Sequence, residues 1–190
     1  MHKKIVVIGT SGAGKTTFGQ EIAQALAIKC IDLDELYWLP GWKEREDTDF
    51  SERLQAGLKS EAWVVCGNYS RAHPLIWPQA EAIIWLDPPL RICLFRALKR
   101  SLQRIFSKQT ICNGNIETWG RFLSKKSILR WIWNTYPQRK QKYAELFAQN
   151  QNGCKTYRFT TERQKRQFLH SLKSYSTTEI STFILGNEGS

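Results

Sequence analysis

The sequence predicts a doubly wound α/β domain on a largely parallel sheet, and three observations carry that expectation. Five short strand-like runs, Ile5 to Ile8, Ile28 to Ile31, Trp63 to Cys66, Ile83 to Leu86 and Lys155 to Phe159, alternate with stretches of helical periodicity, as strands and crossover helices do. The first run leads directly into Gly9-Thr10-Ser11-Gly12-Ala13-Gly14-Lys15-Thr16, a complete GxxxxGK[ST] phosphate-binding loop in the strand-to-helix context that such a loop needs. Two later segments open with helix-start signals, Asp49-x-x-Glu52 and Thr161-x-x-Gln164, which read as capping boxes.

The loop comes first in the chain and carries the most chemistry. Gly9, Gly12 and Gly14 tolerate backbone angles closed to other residues, so successive N–H groups of Gly9, Thr10, Ser11, Gly12, Ala13, Gly14, Lys15, Thr16 and Thr17 can converge on a polyphosphate. Lys15 is expected to reach the outer phosphate oxygens and the Thr16 hydroxyl to hold Mg²⁺. Phe18, Ile22 and Leu26 recur at helical spacing behind the loop, which aims the positive end of a helix dipole at the same anion. A nucleoside triphosphate with Mg²⁺ is therefore the expected ligand, and the loop by itself leaves ATP and GTP both open.

Asp32-x-Asp34 falls where the second strand should end, the edge at which open α/β sheets bind ligands. Two readings stand. In one, Asp32 supports Mg²⁺ and Asp34 accepts a proton from an attacking hydroxyl; in the other, both cap the following turn. Tyr37, Trp38 and Trp42 follow closely and suit either an acceptor pocket or the core. After the third strand, Gly67-Asn68-Tyr69-Ser70-Arg71 would face the aspartates across the crevice. Gly67 allows close approach, Asn68 and Tyr69 offer polar contacts, and Arg71 can clamp an anion, although a plain surface turn has the same composition. Asp87, before Pro88-Pro89, is expected to cap the next helix in preference to touching substrate.

That next helix carries Ile92, Phe95, Leu98, Leu102 and Ile105 as a stripe expected to be buried, with Arg96, Arg100 and Arg104 at i, i+4 spacing on another face. It leads into a pattern break with Asn113-Gly114-Asn115 and Gly120. Residues about 105–125 thus read as a lid whose arginines, Arg100 and Arg104 above all, close over a transferring phosphoryl group; a solvated basic face is the plainer reading. Two further helical stretches are expected, Ser124 to Asn134 and Pro137 to Gln149. The domain is expected to run over 1–173, with 174–190 a polar, poorly ordered tail.

Composition bounds the function. The 190 residues carry a formal charge of +11, and from Arg91 to Tyr143 the only acid is Glu117. An anionic partner is expected there, a triphosphate under a lid or a nucleic-acid backbone. The five cysteines are widely spaced with no CxxC pair, so neither a disulfide framework nor a zinc site is indicated. The apolar run after Met1-His2-Lys3-Lys4 is too short for a signal peptide, and no stretch approaches a membrane span. A soluble, cytoplasmic protein without membrane partners is the expectation.

Taken together, the phosphate loop, Asp32-Leu33-Asp34-Glu35-Leu36-Tyr37-Trp38, Gly67-Asn68-Tyr69-Ser70, Trp85-Leu86-Asp87-Pro88-Pro89 and Asn113-Gly114-Asn115 resemble bacterial adenylate-kinase-like proteins labelled DNA topology modulation protein. The likeness spans the chain to about Lys173. It implies the P-loop NTPase three-layer α/β/α fold of the nucleoside-monophosphate and shikimate kinase group, with a five-stranded parallel sheet in the order 2-3-1-4-5 and a helical lid. It also implies ATP-dependent phosphoryl transfer to a small acceptor, nucleotide or hydroxyl compound, with Asp34 facing that acceptor, Arg71 on its anionic side, and Arg100 or Arg104 in the lid. Where relatives carry Asp-Gly-Asn-Tyr, this chain has Cys66-Gly67-Asn68-Tyr69, so either Asp32 supports the metal or metal binding is weaker, with turnover slowed or lost. The rival reading is a nucleotide-dependent nucleic-acid-binding protein or a polynucleotide-end kinase, drawn from the aromatics interleaved in the basic stretch.

Overall fold

The computed structural model describes residues 2–149 and 153–173; the expected tail, 174–190, lies outside them. In chain order the elements are β1 (Lys4–Gly9), α1 (Lys15–Leu26), β2 (Lys29–Asp32), α2 (Leu33–Tyr37), β3 (Trp38–Leu39), β4 (Lys43–Glu44), α3 (Asp47–Leu58) and β5 (Trp63–Cys66). Then come α4 (His73–Ile76), β6 (Ala82–Leu86), α5 (Leu90–Ser107), β7 (Thr110–Ile111), β8 (Asn115–Ile116), α6 (Trp119–Leu123), α7 (Ile128–Gln149), β9 (Lys155–Phe159) and a final helix, α8, over 162–173.

Five strands form one parallel sheet in the order β2-β5-β1-β6-β9. Counting only those strands, the order is 2-3-1-4-5, the arrangement the resemblance implies. Each of the five falls on one of the runs picked out in the sequence. Successive residues of β1 serve opposite layers: Ile5 and Val7 pack with Phe18, Ile22 and Ala97, while Val6 and Ile8 pack with Phe50, Leu54 and Trp63. A strand whose residues alternate between two cores has to be apolar throughout, which is why the central runs Ile5 to Ile8, Trp63 to Cys66 and Ile83 to Leu86 show no polar alternation.

Three local expectations change. α3 begins at Asp47 with Glu46 as its cap, two residues before the predicted box. The Asp49 carboxylate is taken instead by Arg45 and Arg53, one turn to either side at 2.5 and 2.6 Å. Asp87 does not cap α5, whose N-cap is Pro89; it receives Arg158 of the neighbouring strand at 2.5 Å. The two helices expected around Pro137 are one, α7. Pro137 gives up one backbone bond, but burial of Ile132 before it and Tyr143 after it in the two cores holds both halves in line. The Thr161–Gln164 box forms as expected: Gln164 N–H donates to Thr161 Oγ1 at 3.3 Å and Thr161 N–H to Gln164 Oε1 at 3.1 Å.

The segment expected as a lid contains a two-stranded antiparallel ribbon, β7–β8, followed by α6, which Thr118 caps through the Arg121 N–H. Among the described residues no helix is long and apolar enough to cross a membrane.

Candidate functional site

The site lies at the carboxyl edge of the sheet, where the turns after β1, β2 and β5 meet. Between β1 and α1 the loop residues Gly9, Thr10, Ser11, Gly12, Ala13 and Gly14 curl under the first turn of α1, with Gly14 as its left-handed N-cap. Gly12 shows why the loop tolerates no side chain there: its φ is +78°, and an added Cβ would lie 2.3 Å from the Cys93 carbonyl oxygen of α5. The loop is thus wedged against the start of the arginine-bearing helix. Lys15, Thr16 and Thr17 form the first turn of α1, whose free N–H groups and dipole favour an anion.

Lys15 is only partly buried along its stem, but its ammonium is crowded by protein atoms and donates to the Thr10 carbonyl at 3.1 Å. That desolvation lowers its proton affinity; Asp34 and Asp32 act to restore it, and Arg139 and Arg100 oppose them. The Thr16 hydroxyl donates to Asp32 Oδ2 at 2.8 Å, while Asp32 Oδ1 accepts from the Asp34 N–H at 2.9 Å. Asp32 therefore caps α2 through one oxygen and meets Thr16 through the other. Burial, then the neighbouring Asp34, raises the Asp32 pKa above the ordinary carboxylate value. Thr16 and Asp32 together present adjacent hard oxygens, a donor set that fits Mg²⁺. Opposite Asp32 in the register stands Cys66, a thiol packed in the core beside Cys30 at 4.0 Å, so no second carboxylate joins them.

Asp34, exposed in the first turn of α2, accepts a hydrogen bond from the Tyr69 hydroxyl at 2.6 Å. The Tyr69 ring in turn stacks on Tyr37 at 4.3 Å. Burial, followed by the Asp34 charge, pushes the Tyr69 pKa far up, which keeps it a donor to that carboxylate. Tyr37 is half-buried and packs against the core layer of Phe50 and Leu54, with half-buried Trp38 edge-on to it at 4.8 Å. Gly67 makes its close approach to α2, not to open space: a Cβ there would meet Leu33 at 2.6 Å. Half-buried Asn68 lies between Gly67 and Tyr69.

Arg71 is brought under the rings of Tyr37 and Phe50, 4.2 and 4.5 Å from their centres, and pairs with Asp47 and the Arg45 carbonyl. Its Nε and Nη2 are buried with no partner. Arg100 has the same unmet donor at Nε. Arg104 lies 3.8 Å from Glu117 and within electrostatic reach of Asp34 and Arg100. Arg96 stands apart from these two, bound to Glu162 at 2.5 Å and reaching to 3.8 Å from where a Gly14 Cβ would be. Buried donors without acceptors are uncommon in native proteins, and an anion is one partner that would complete these.

Sequence reasoning had not singled out Arg139. It stands on α7, far along the chain, and only the packing of α7 against α5 brings it within reach of Lys15. Its sequence signal was no more than membership of a basic run.

Three comparisons with known proteins bear on this geometry. A family model for shikimate kinase matches residues 11–39, the stretch carrying Lys15, Thr16, Asp32 and Asp34. Among curated proteins the chain is similar to "Uncharacterized protein YqaC" of Bacillus subtilis (strain 168), 26% identical over 133 residues that cover 69% of this chain and 71% of that one. Among solved structures it is similar to shikimate kinase from Acinetobacter baumannii in complex with shikimate, at 16% identity and TM-score 0.51, covering 99% of this chain and 96% of that one. It is also similar to shikimate kinase from Bacteroides thetaiotaomicron, at 15% identity and TM-score 0.53, covering 93% and 99%. The chain has the three-layer α/β/α fold of P-loop kinases.

Proposed function

We propose that this protein transfers the terminal phosphoryl group of ATP to a small acceptor. One observation carries the reading: donors of Arg71, Arg100 and Thr10 are buried and unmet, and Lys15 lies within electrostatic reach of Arg100 and Arg139 as well as of Asp34 and Asp32, as Arg104 does of Arg100 and Asp34. Such an excess of enclosed positive charge is costly unless an anion completes it, and it stands beside a loop built to hold phosphates.

The roles follow from position. Backbone N–H groups of the loop and the Lys15 ammonium hold the triphosphate, and Thr16 with Asp32 would hold Mg²⁺. A metal held there would supply charge neutralisation for the phosphates. Asp34, steadied by Tyr69, takes the proton of a hydroxyl acceptor as it attacks; a phosphate acceptor is already nucleophilic, and Asp34 then orients it. Gly67, Asn68, Tyr69 and Arg71 flank the acceptor, with Arg71 on its anionic side. Arg100 and Arg104, joined by Arg139, stabilise charge on the equatorial oxygens during transfer. Residues 105–125 act as the lid of a domain running over 1–173. The finer resemblance to DNA topology modulation proteins is part of this proposal.

A coupled assay for ADP release tests it against shikimate, other small hydroxy acids, nucleosides, nucleoside monophosphates and a 5′-hydroxyl oligonucleotide. Asp34→Asn should lower transfer to a hydroxyl acceptor by about 10²–10⁴-fold, the usual worth of a general base, with Mg-ATP affinity held within about twofold. No acceptor-dependent ADP release from the wild-type chain rejects the proposal. A second reading, nucleic-acid binding or polynucleotide-end phosphorylation, is favoured by the exposure of Phe106, Trp119, Trp131 and Trp133 within the basic stretch. Steeply salt-dependent binding of the oligonucleotide would favour it.

A further inference from the structure

The short helix that carries Asp34 is held at its far end by another part of the chain. α2 has five residues, so its last carbonyls find few partners within the helix. Asn113, at the tip of the β7–β8 ribbon, supplies them: its Nδ2 donates to the carbonyls of Glu35 and Trp38, each at 2.7 Å. Asn115 continues the clasp. Its Nδ2 donates to the Leu39 carbonyl at 3.0 Å, and its Oδ1 accepts from the Trp42 N–H at 2.6 Å. The Trp42 indole N–H donates to the Ile116 carbonyl at 3.3 Å, and Arg121 stacks on the same ring at 4.1 Å.

The ribbon is shaped for this contact. Cys112, Asn113 and Gly114 are left-handed in succession, with φ of 41°, 63° and 86°, a costly tip for the two that are not glycine. Asn115 is 2% exposed, and a side-chain amide suits its place because it offers donors and an acceptor at once. A carboxylate there would face the Leu39 and Cys112 carbonyls, and an aliphatic group would leave them unmet. The same ribbon leads into Glu117, which meets Arg104, and its tip residue Cys112 lies within electrostatic reach of Asp34.

We infer that Asn113 and Asn115 are positioning residues: by clasping residues 35–42 to the ribbon they fix α2, and so bring Asp34 and Arg104 into place as one unit. The clasp stands on its hydrogen bonds alone; its consequence for turnover rests on the phosphoryl-transfer reading. Acceptor contact and arginine placement are then coupled, and loosening the clasp harms transfer without harming the phosphate loop.

Hydrogen–deuterium exchange on the full chain with Mg²⁺ and a non-hydrolysable ATP analogue tests the clasp, comparing wild type with Asn115→Asp and with Asn113→Ala. Asn113 is exposed, so its truncation spares the core should Asn115→Asp fail to fold. Exchange over 35–44 should quicken tenfold or more while 4–9 and 82–86 keep their protection. In transfer to the best acceptor of the panel, kcat should fall tenfold or more with KM for Mg-ATP held within twofold. Unchanged exchange over 35–44 overturns the clasp. Faster exchange with unchanged kcat, or an equal loss in Mg-ATP KM, overturns the positioning role. A wild-type chain that phosphorylates nothing would sink the phosphoryl-transfer reading and the positioning role with it, while the exchange result still decides the clasp.

Discussion

Replacing Lys15 by Met removes a crowded cation and keeps most of its length. In the free protein the Lys15 ammonium has one hydrogen-bond acceptor, the Thr10 carbonyl at 3.1 Å, and desolvation is the first cause of its lowered proton affinity. Losing it should leave the free protein as stable as before or slightly more so. Against a phosphate the same ammonium makes a charge-assisted bond worth about 2 kcal/mol, or roughly 30-fold in Kd. With Mg-ATP at about 100 times the wild-type Kd, binding stabilises the wild type by about 2.7 kcal/mol, or roughly 5–10 °C in Tm for a chain of this size. For the variant the same concentration is only about three times Kd, and the shift shrinks to about 2–3 °C. Thermal unfolding with and without Mg-ATP, checked by calorimetry, reads both quantities. A Lys15→Met chain that folds and shows the full wild-type shift refutes the phosphate role of Lys15.

Two further outcomes rest on packing and burial. Gly12→Ala places a methyl against the Cys93 carbonyl at a φ of +78°, so it should cost about 2 kcal/mol or more in urea unfolding and weaken Mg-ATP; a neutral result would mean that the loop and α5 are not wedged together. His73, with Nε2 buried and unmet and its ring 5.0 Å from Trp77, has its pKa pushed down to about 4, chiefly by burial. The unfolded chain then binds the extra proton between pH of about 6.5 and 4. The contribution is therefore complete above about 6.5 and is lost as pH falls to about 4, amounting to roughly 1–2 kcal/mol once the partial exposure of the ring is allowed for. Urea titrations should show His73→Phe losing less stability than wild type over that interval, and parallel curves would disprove the assignment.

How far the fold was legible follows from how each signal arises. The runs Ile5 to Ile8, Trp63 to Cys66 and Ile83 to Leu86 became central strands because residues buried on both faces must be apolar at every position, a property visible residue by residue. The Thr161–Gln164 box was readable for the same reason: its two bonds close within one turn. Asp49 misled because its carboxylate had two arginines within four residues, and a charge pair outcompeted the cap. Pro137 suggested a break that burial on either side of it overrode.

The sequence by itself determined the parts whose chemistry is local: the phosphate loop, the order of strands and helices, and the placing of Asp32 and Asp34 at a strand end. Only the tertiary structure decided which distant groups meet them. Arg139 comes within electrostatic reach of Lys15 from α7, Tyr69 holds Asp34 across 35 residues, Arg71 turns toward Asp47, and Asn113 and Asn115 close on residues 35–42 from more than 70 residues away. The physical reason is range: backbone propensity and periodicity act over a few residues and are written in the composition of each segment. Side-chain partners across the fold are selected by packing, desolvation and charge, which exist only once the layers have assembled.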